Sequence, residues 1–89
     1  MRCVITVLGK DRTGIVAGVS GVLLTCQVNI DDISQTIMND LFSMIMQVTL
    51  DEQAASFNEV QEKLDELAKE LNVQITIQRL DVFDYMYTV

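Results

Sequence analysis

The sequence predicts an α+β fold with elements in the order β-α-β-β-α-β. Three observations carry this reading: two stripes of apolar residues at helical spacing, strand-like alternation before, between and after them, and an Asn-Asp pair joining the two middle strands. The first strand is Arg2 to Leu8, "RCVITVL", a β-branched run bounded by Gly9. Cys3, Ile5 and Val7 share one face, and Val4, Thr6 and Leu8 share the other. Apolar groups on both faces mark an inner strand.

The first helix follows from Ile15, Val16, Val19, Val22, Leu23 and Cys26, which form one amphipathic stripe. Thr13 or Asp11 is positioned to cap its start with a side-chain oxygen. Gly14, Gly18 and Gly21 run along a neighbouring face, although glycine weakens a helix interior by roughly 0.5–1 kcal/mol relative to alanine. The expectation is that Gly14 opens the turn, while Gly18 and Gly21 let the helix approach its packing partner closely.

The second strand spans 29–38 and alternates after Asp32. Asn39-Asp40 then supplies a two-residue turn, because both residue types tolerate positive φ. The third strand, 41–50, alternates cleanly, with Phe42, Met44, Met46, Val48 and Leu50 on one face. Phe57, Val60, Leu64, Leu67 and Leu71 place a second helix over about 54–71, with Glu59-Lys63 and Asp65-Lys69 on its solvated side. Val73 to Leu80 alternates again as the last strand, and an apolar tail occupies 81–89. Right-handed crossovers then give a ferredoxin-like sandwich: a four-stranded antiparallel sheet with both helices on one face. The other face is left bare, and a second copy of the chain is the economical cover for it.

The 89 residues suit one domain, 1–89, with a net charge of −7 and 49% hydrophobic residues. Three lysines and three arginines, scattered, make phosphate-driven nucleic-acid binding or capture by an anionic membrane unfavourable. The absence of a signal-peptide pattern or an apolar run of spanning length points to a cytoplasmic protein. Cys3 and Cys26 are too few for a disulfide framework and too far apart for a metal motif, and read as core. The Met44-Met46 pair reads as core too. Histidine is absent, which removes the usual neutral-pH general base and the commonest transition-metal ligand. No catalytic residue, metal site or cofactor is expected.

"DRTGIVAGVS" at 11–20, "NIDDISQ" at 29–35 and "FSMIMQV" at 42–48 resemble the ACT domain in content, order and spacing. The likeness spans essentially the whole chain. It is greatest to short stand-alone bacterial ACT proteins, and extends to glycine-cleavage regulators and the accessory domain of formyltetrahydrofolate deformylase. Two positions depart from that branch: Thr13 stands where proline is usual, and Cys26-Gln27-Val28 lacks the glycine expected before Asn29-Ile30. The resemblance implies a regulatory module that binds an amino acid. Asp11, Arg12, Thr13, Gly14, Ile15 and Val16 would line one side of its pocket, and Asn29 and Ile30 the other, often from a neighbouring subunit. Chemically, the first turn of a helix has unpaired N–H groups and a partial positive charge suited to a carboxylate. Arg12 can pair with the same carboxylate, Asp11 or Asp31 with an ammonium, and Asn29 can donate and accept.

Each residue has a plainer alternative: Arg12 a solvated turn residue, Asp11 a helix cap, Asn29 a partner for the turn's own backbone. Function divides accordingly. A non-enzymatic sensor would bind an amino acid at a homodimer interface and signal to a partner protein. An interaction module would recognise a protein without any ligand. An acylphosphatase-like enzyme would use an arginine and an asparagine on this fold, but that family's longer glycine- and valine-rich loop is missing.

Overall fold

The computed structural model describes residues 1–81. The elements run β1 (Arg2–Lys10), α1 (Ile15–Thr25), β2 (Asn29–Met38), β3 (Leu41–Thr49), α2 (Phe57–Leu71) and β4 (Gln74–Arg79). They form one antiparallel four-stranded sheet in the order β2-β3-β1-β4 with two helices, the ferredoxin-like arrangement expected from the sequence. The apolar tail expected beyond Asp81 lies outside the described residues.

β1 occupies an inner position, and its odd residues define the core. Ile5 sits between Met46 of β3 and Ile77 of β4, and Val7 sits between Met44 and Ile75. These six side chains join Ile15, Val19 and Leu23 of α1 and Val60 and Leu64 of α2 in a single buried cluster. Met44 and Met46 are fully enclosed, and both cysteines are buried free thiols. Burial pushes the Cys3 thiol above its ordinary value of 9.0, so it is a packing group.

The Asn39-Asp40 turn behaves as expected, with φ of 50° and 67° joining β2 to β3. The second helix begins later than the apolar spacing suggested, because Ser56 accepts a hydrogen bond from the Glu59 amide at 3.2 Å and fixes its start there. The last strand is correspondingly trimmed to Gln74–Arg79, whereas β1 runs on past Leu8 to pair Lys10 with Leu41. β2 is paired from Asn29 onward, not only after Asp32, because a bulge between Ile30 and Asp32 absorbs the break in alternation.

The glycines separate into different roles. Gly14 has φ +94°, a conformation that L side chains rarely adopt, and it starts α1. At Gly18 an added Cβ would meet Leu67 at 3.2 Å and Leu71 at 3.4 Å, so close approach to α2 explains it. Gly21 corrects the sequence reading: nothing lies within 4 Å of the Cβ it would carry. Gly9, which the sequence assigned only a bounding role, is the tightest, with an added Cβ falling 2.7 Å from Val73 Cγ1 and 3.1 Å from the Val73 Cα. Gly9→Ala should therefore lower stability by about 1–3 kcal/mol through forced displacement of backbone. Gly21→Ala should raise it by roughly 0.5–1 kcal/mol through helix propensity. Urea melts of the two variants read these opposite signs directly.

Candidate functional site

The chain leaves β1 through Lys10 and turns at residues 11–14 before entering α1. Two contacts hold this turn. The Asp11 amide donates to the Asp40 carbonyl at 2.7 Å, tying it to the β2–β3 hairpin, and Arg12 Nη1 donates to the Leu71 carbonyl at 3.3 Å, tying it to the end of α2. Thr13 and Asp11 do not cap α1, contrary to expectation: the N-cap is Gly14, and no side chain accepts from the first turn. The positive φ of Gly14 takes that position instead. The leading amides of α1 thus stay without an intrahelical or side-chain acceptor.

A cavity of about 450 Å³ opens beside these amides. Asp11, Arg12, Gly14, Ile15 and Val16, five of the residues grouped by the sequence, line it together with Ala17. Its opposite wall comes from Gln35, Thr36 and Ile37 of β2, with Phe42 of β3. Sequence reasoning missed this wall. Alternation places Ile37 opposite Phe42 on the core side, and it is 59% exposed only because β2 is an edge strand that the helices leave uncovered.

Thr13 lies outside this cavity, in a neighbouring one of about 480 Å³ that Asp11 and Arg12 also line, with Lys10, Leu71 and Asn72. Asn29 and Ile30 also lie elsewhere within the chain. They pair with Thr49 and Val48, at the opposite end of β2 from Ile37. Eight strand residues at about 3.3 Å each separate Asn29 from Ile37 by about 26 Å. Asn29 bonds a side chain and not the turn's backbone: its Nδ2 donates to Asp31 Oδ1 at 2.6 Å, and Thr49 Oγ1 donates to the other Asp31 oxygen at 2.6 Å. These bonds, from Thr49 first and Asn29 second, hold the Asp31 carboxyl below its ordinary value of 3.8. Asp31 stands at the β2 bulge, so the pair of donors secures the irregular backbone there.

Among the described residues no group of three or more His, Cys, Asp or Glu is arranged to hold a metal ion. No described helix is long and apolar enough to cross a membrane. What the cavity offers is two opposite charges at Asp11 and Arg12, the side-chain amide of Gln35, and an aliphatic wall. These groups suit recognition of a small zwitterion.

Comparison with known proteins identifies the family. The ACT-domain family profile matches residues 2–78. The chain belongs to the ACT-domain family. The UPF0237 protein of Clostridium acetobutylicum is 48% identical over 89 residues, covering 100% of both chains. The solved structure of an ACT domain protein from Streptococcus pneumoniae shares 44% identity and superposes with a TM-score of 0.81, over 98% of each chain. A glycine cleavage system transcriptional repressor, 22% identical and covering 86% of this chain and 44% of its own, shares the fold with a TM-score of 0.77. ACT domains are commonly regulatory, ligand-binding modules, and the ACT resemblance read from residues 11–20, 29–35 and 42–48 is thereby established.

The Asp31 arrangement has a measurable consequence. Its depressed pKa means that whatever stability the ionised form contributes is present above the ordinary carboxylate value and is lost as pH falls through the folded-state value. Carboxyl-detected NMR titration should find Asp31 titrating below 3.8, and Thr49→Val should move it upward by removing the leading donor. A parent Asp31 titrating at or above the ordinary value would contradict the bond geometry.

Proposed function

We propose that this ACT domain is a non-enzymatic regulatory module that binds an amino acid in the cavity between the β1–α1 turn and β2, at a homodimer interface, and passes the resulting change to a partner protein. The observation that carries this reading is the convergence of Asp11, Arg12, Gly14, Ile15 and Val16 on one cavity beside the uncapped start of α1. An amino acid's carboxylate would rest on the open amides and the Arg12 guanidinium, which has donors beyond the one engaged by Leu71. Its ammonium would face Asp11 or the Gln35 amide oxygen.

The edge of β2 supports the homodimer. Ten residues of strand present one row of backbone groups with no proline or lysine among them, and residues 31–40 are all exposed. Such an edge invites pairing with another strand. Antiparallel pairing of two β2 strands about a two-fold axis near Ile33 would set Ile30 of a second copy beside Thr36, and Asn29 beside Ile37. Both halves of the pocket expected from the sequence would then meet, although they lie far apart in one chain. A cytoplasmic setting accords with two unpaired, buried cysteines.

A second reading draws on the sheet face away from the helices. Leu8, Ile45, Leu41 and Met38 are exposed there at 40%, 44%, 48% and 66%. That apolar surface supports a protein-interaction module that needs no ligand.

The experiment that separates the two is a thermal-melt screen of the purified chain against the twenty amino acids at millimolar concentration. A ligand at 100 times its dissociation constant adds about 2.7 kcal/mol, which for a domain of this size moves the midpoint by on the order of ten degrees. The sensor reading expects one amino acid or one chemical group of them to respond, and Arg12→Ala to abolish the response. It also expects a dimer by light scattering that Ile33→Lys dissociates. A flat panel, with partner capture lost in Leu8→Ser/Ile45→Ser, would replace the sensor by the interaction module.

A further inference from the structure

We propose that the cavity selects an amino acid with an uncharged aliphatic side chain, with Ile37 as the residue that sets the choice; this rests on the sensor reading above. The argument begins from how the walls divide. Asp11 and Arg12 supply one negative and one positive charge, the complement of the two charged ends of an amino acid. The remaining polar lining that this chain contributes, at Gln35 and Thr36, is neutral. An acidic or basic side chain laid against Val16 and Ile37 would exchange water for hydrocarbon without gaining a counter-charge from that wall.

The rest of the surface is aliphatic or aromatic. Val16 and Ile37 are 37% and 59% exposed, which is unusual for side chains on the core-facing stripes of α1 and of the sheet. The neighbours that share their walls, Ile15 and Phe42, are buried at 2% and 3%. The two exposed side chains therefore form the accessible apolar surface of the cavity, above a floor that the core holds rigid. A ligand side chain lying between Val16 and Ile37 would remove both from water. Glycine or serine would leave that surface uncovered, and serine would add a hydroxyl against it. Each methylene gained in such a pocket changes affinity by about tenfold or more.

Ile37 is the determinant because of where it stands. It lies on the edge strand, opposite Phe42, and its substitution removes no core side chain. Replacing it changes the wall and leaves Asp11, Arg12 and the α1 amides in place.

Isothermal titration of the full chain with leucine, isoleucine, valine, glycine, serine, aspartate, lysine and phenylalanine tests this. The expected result is that at least one of the three branched-chain amino acids binds at least tenfold more tightly than each of the other five. Ile37→Ser should cut that preference at least tenfold. Val16→Ser, on the facing wall, should act in the same direction, and circular dichroism confirms that each variant is folded. Tighter binding of glycine, serine, a charged amino acid or phenylalanine would overturn the selectivity while leaving the sensor reading intact. An unchanged preference in folded Ile37→Ser and Val16→Ser would overturn the assignment of this wall. Absence of binding by all eight, with a flat twenty-member melt screen, would remove the sensor reading and this inference with it.

Discussion

The turn from β1 into α1 is the constraint on which the site depends. β1 is an inner strand, so the chain leaving it must climb off the sheet at once to let α1 cover the core face. Gly14 makes that change of direction with a left-handed backbone conformation, and the turn is tied to the β2–β3 hairpin through Asp11 and to the end of α2 through Arg12. A side-chain cap at this point would have satisfied the leading amides of α1. Glycine leaves them open, and the contrast with α2 is instructive: Ser56 caps that helix with a hydrogen bond to its own first turn. One helix start is closed by its own sequence and the other faces a cavity.

The sheet is asymmetric about this turn. β1 and β3 are covered by helices and present a continuous aliphatic and methionine surface, with Ile5, Val7, Met44 and Met46 excluded from solvent. β2 continues the same sheet beyond the reach of that cover. Its residues keep strand alternation, and Ile33, Gln35 and Ile37 stand opposite Met46, Met44 and Phe42, but the side chains remain in water. An edge strand with exposed isoleucines on its helix side is therefore both the outer wall of the cavity and a surface open to association. The Asn29–Asp31–Thr49 hydrogen bonds secure its far end, where the bulge interrupts regular pairing.

Arg12 shows how one residue joins these features. It lines the cavity and also donates to the carbonyl of Leu71, the last residue of α2. A guanidinium at a helix C-terminus interacts favourably with the partial negative charge there, in addition to forming the hydrogen bond. A group that binds at the cavity and draws on Arg12 thus competes with, or adds to, a contact that reaches the second helix. This gives the site a physical link to an element it does not otherwise touch.

The order of elements, the hairpin at Asn39-Asp40 and most of the core were legible because they rest on local periodicity and turn chemistry. Cys3, Ile5, Val7, Met44, Met46, Val60 and Leu64 alternate or recur at spacings that only one buried face satisfies. The ACT identity was legible for a similar reason: the Asp-Arg-x-Gly-Ile-Val segment and the Asn-Ile-x-Asp segment hold fixed places in that order. Three-dimensional packing decided the rest. Gly18 and Gly21 look alike in sequence, yet only Gly18 has α2 beside it, and Gly9 proved the most confined because Val73 approaches from a residue more than sixty positions away. The wall of Gln35, Thr36 and Ile37 escaped notice because alternation predicts Ile37 to be covered, and only the position of β2 at the sheet edge, beyond the helices, leaves it bare. Local periodicity assigned the strands, helices and most of the core to within a few residues; which glycines are crowded and where the cavity opens depend on segments distant in the chain coming into contact.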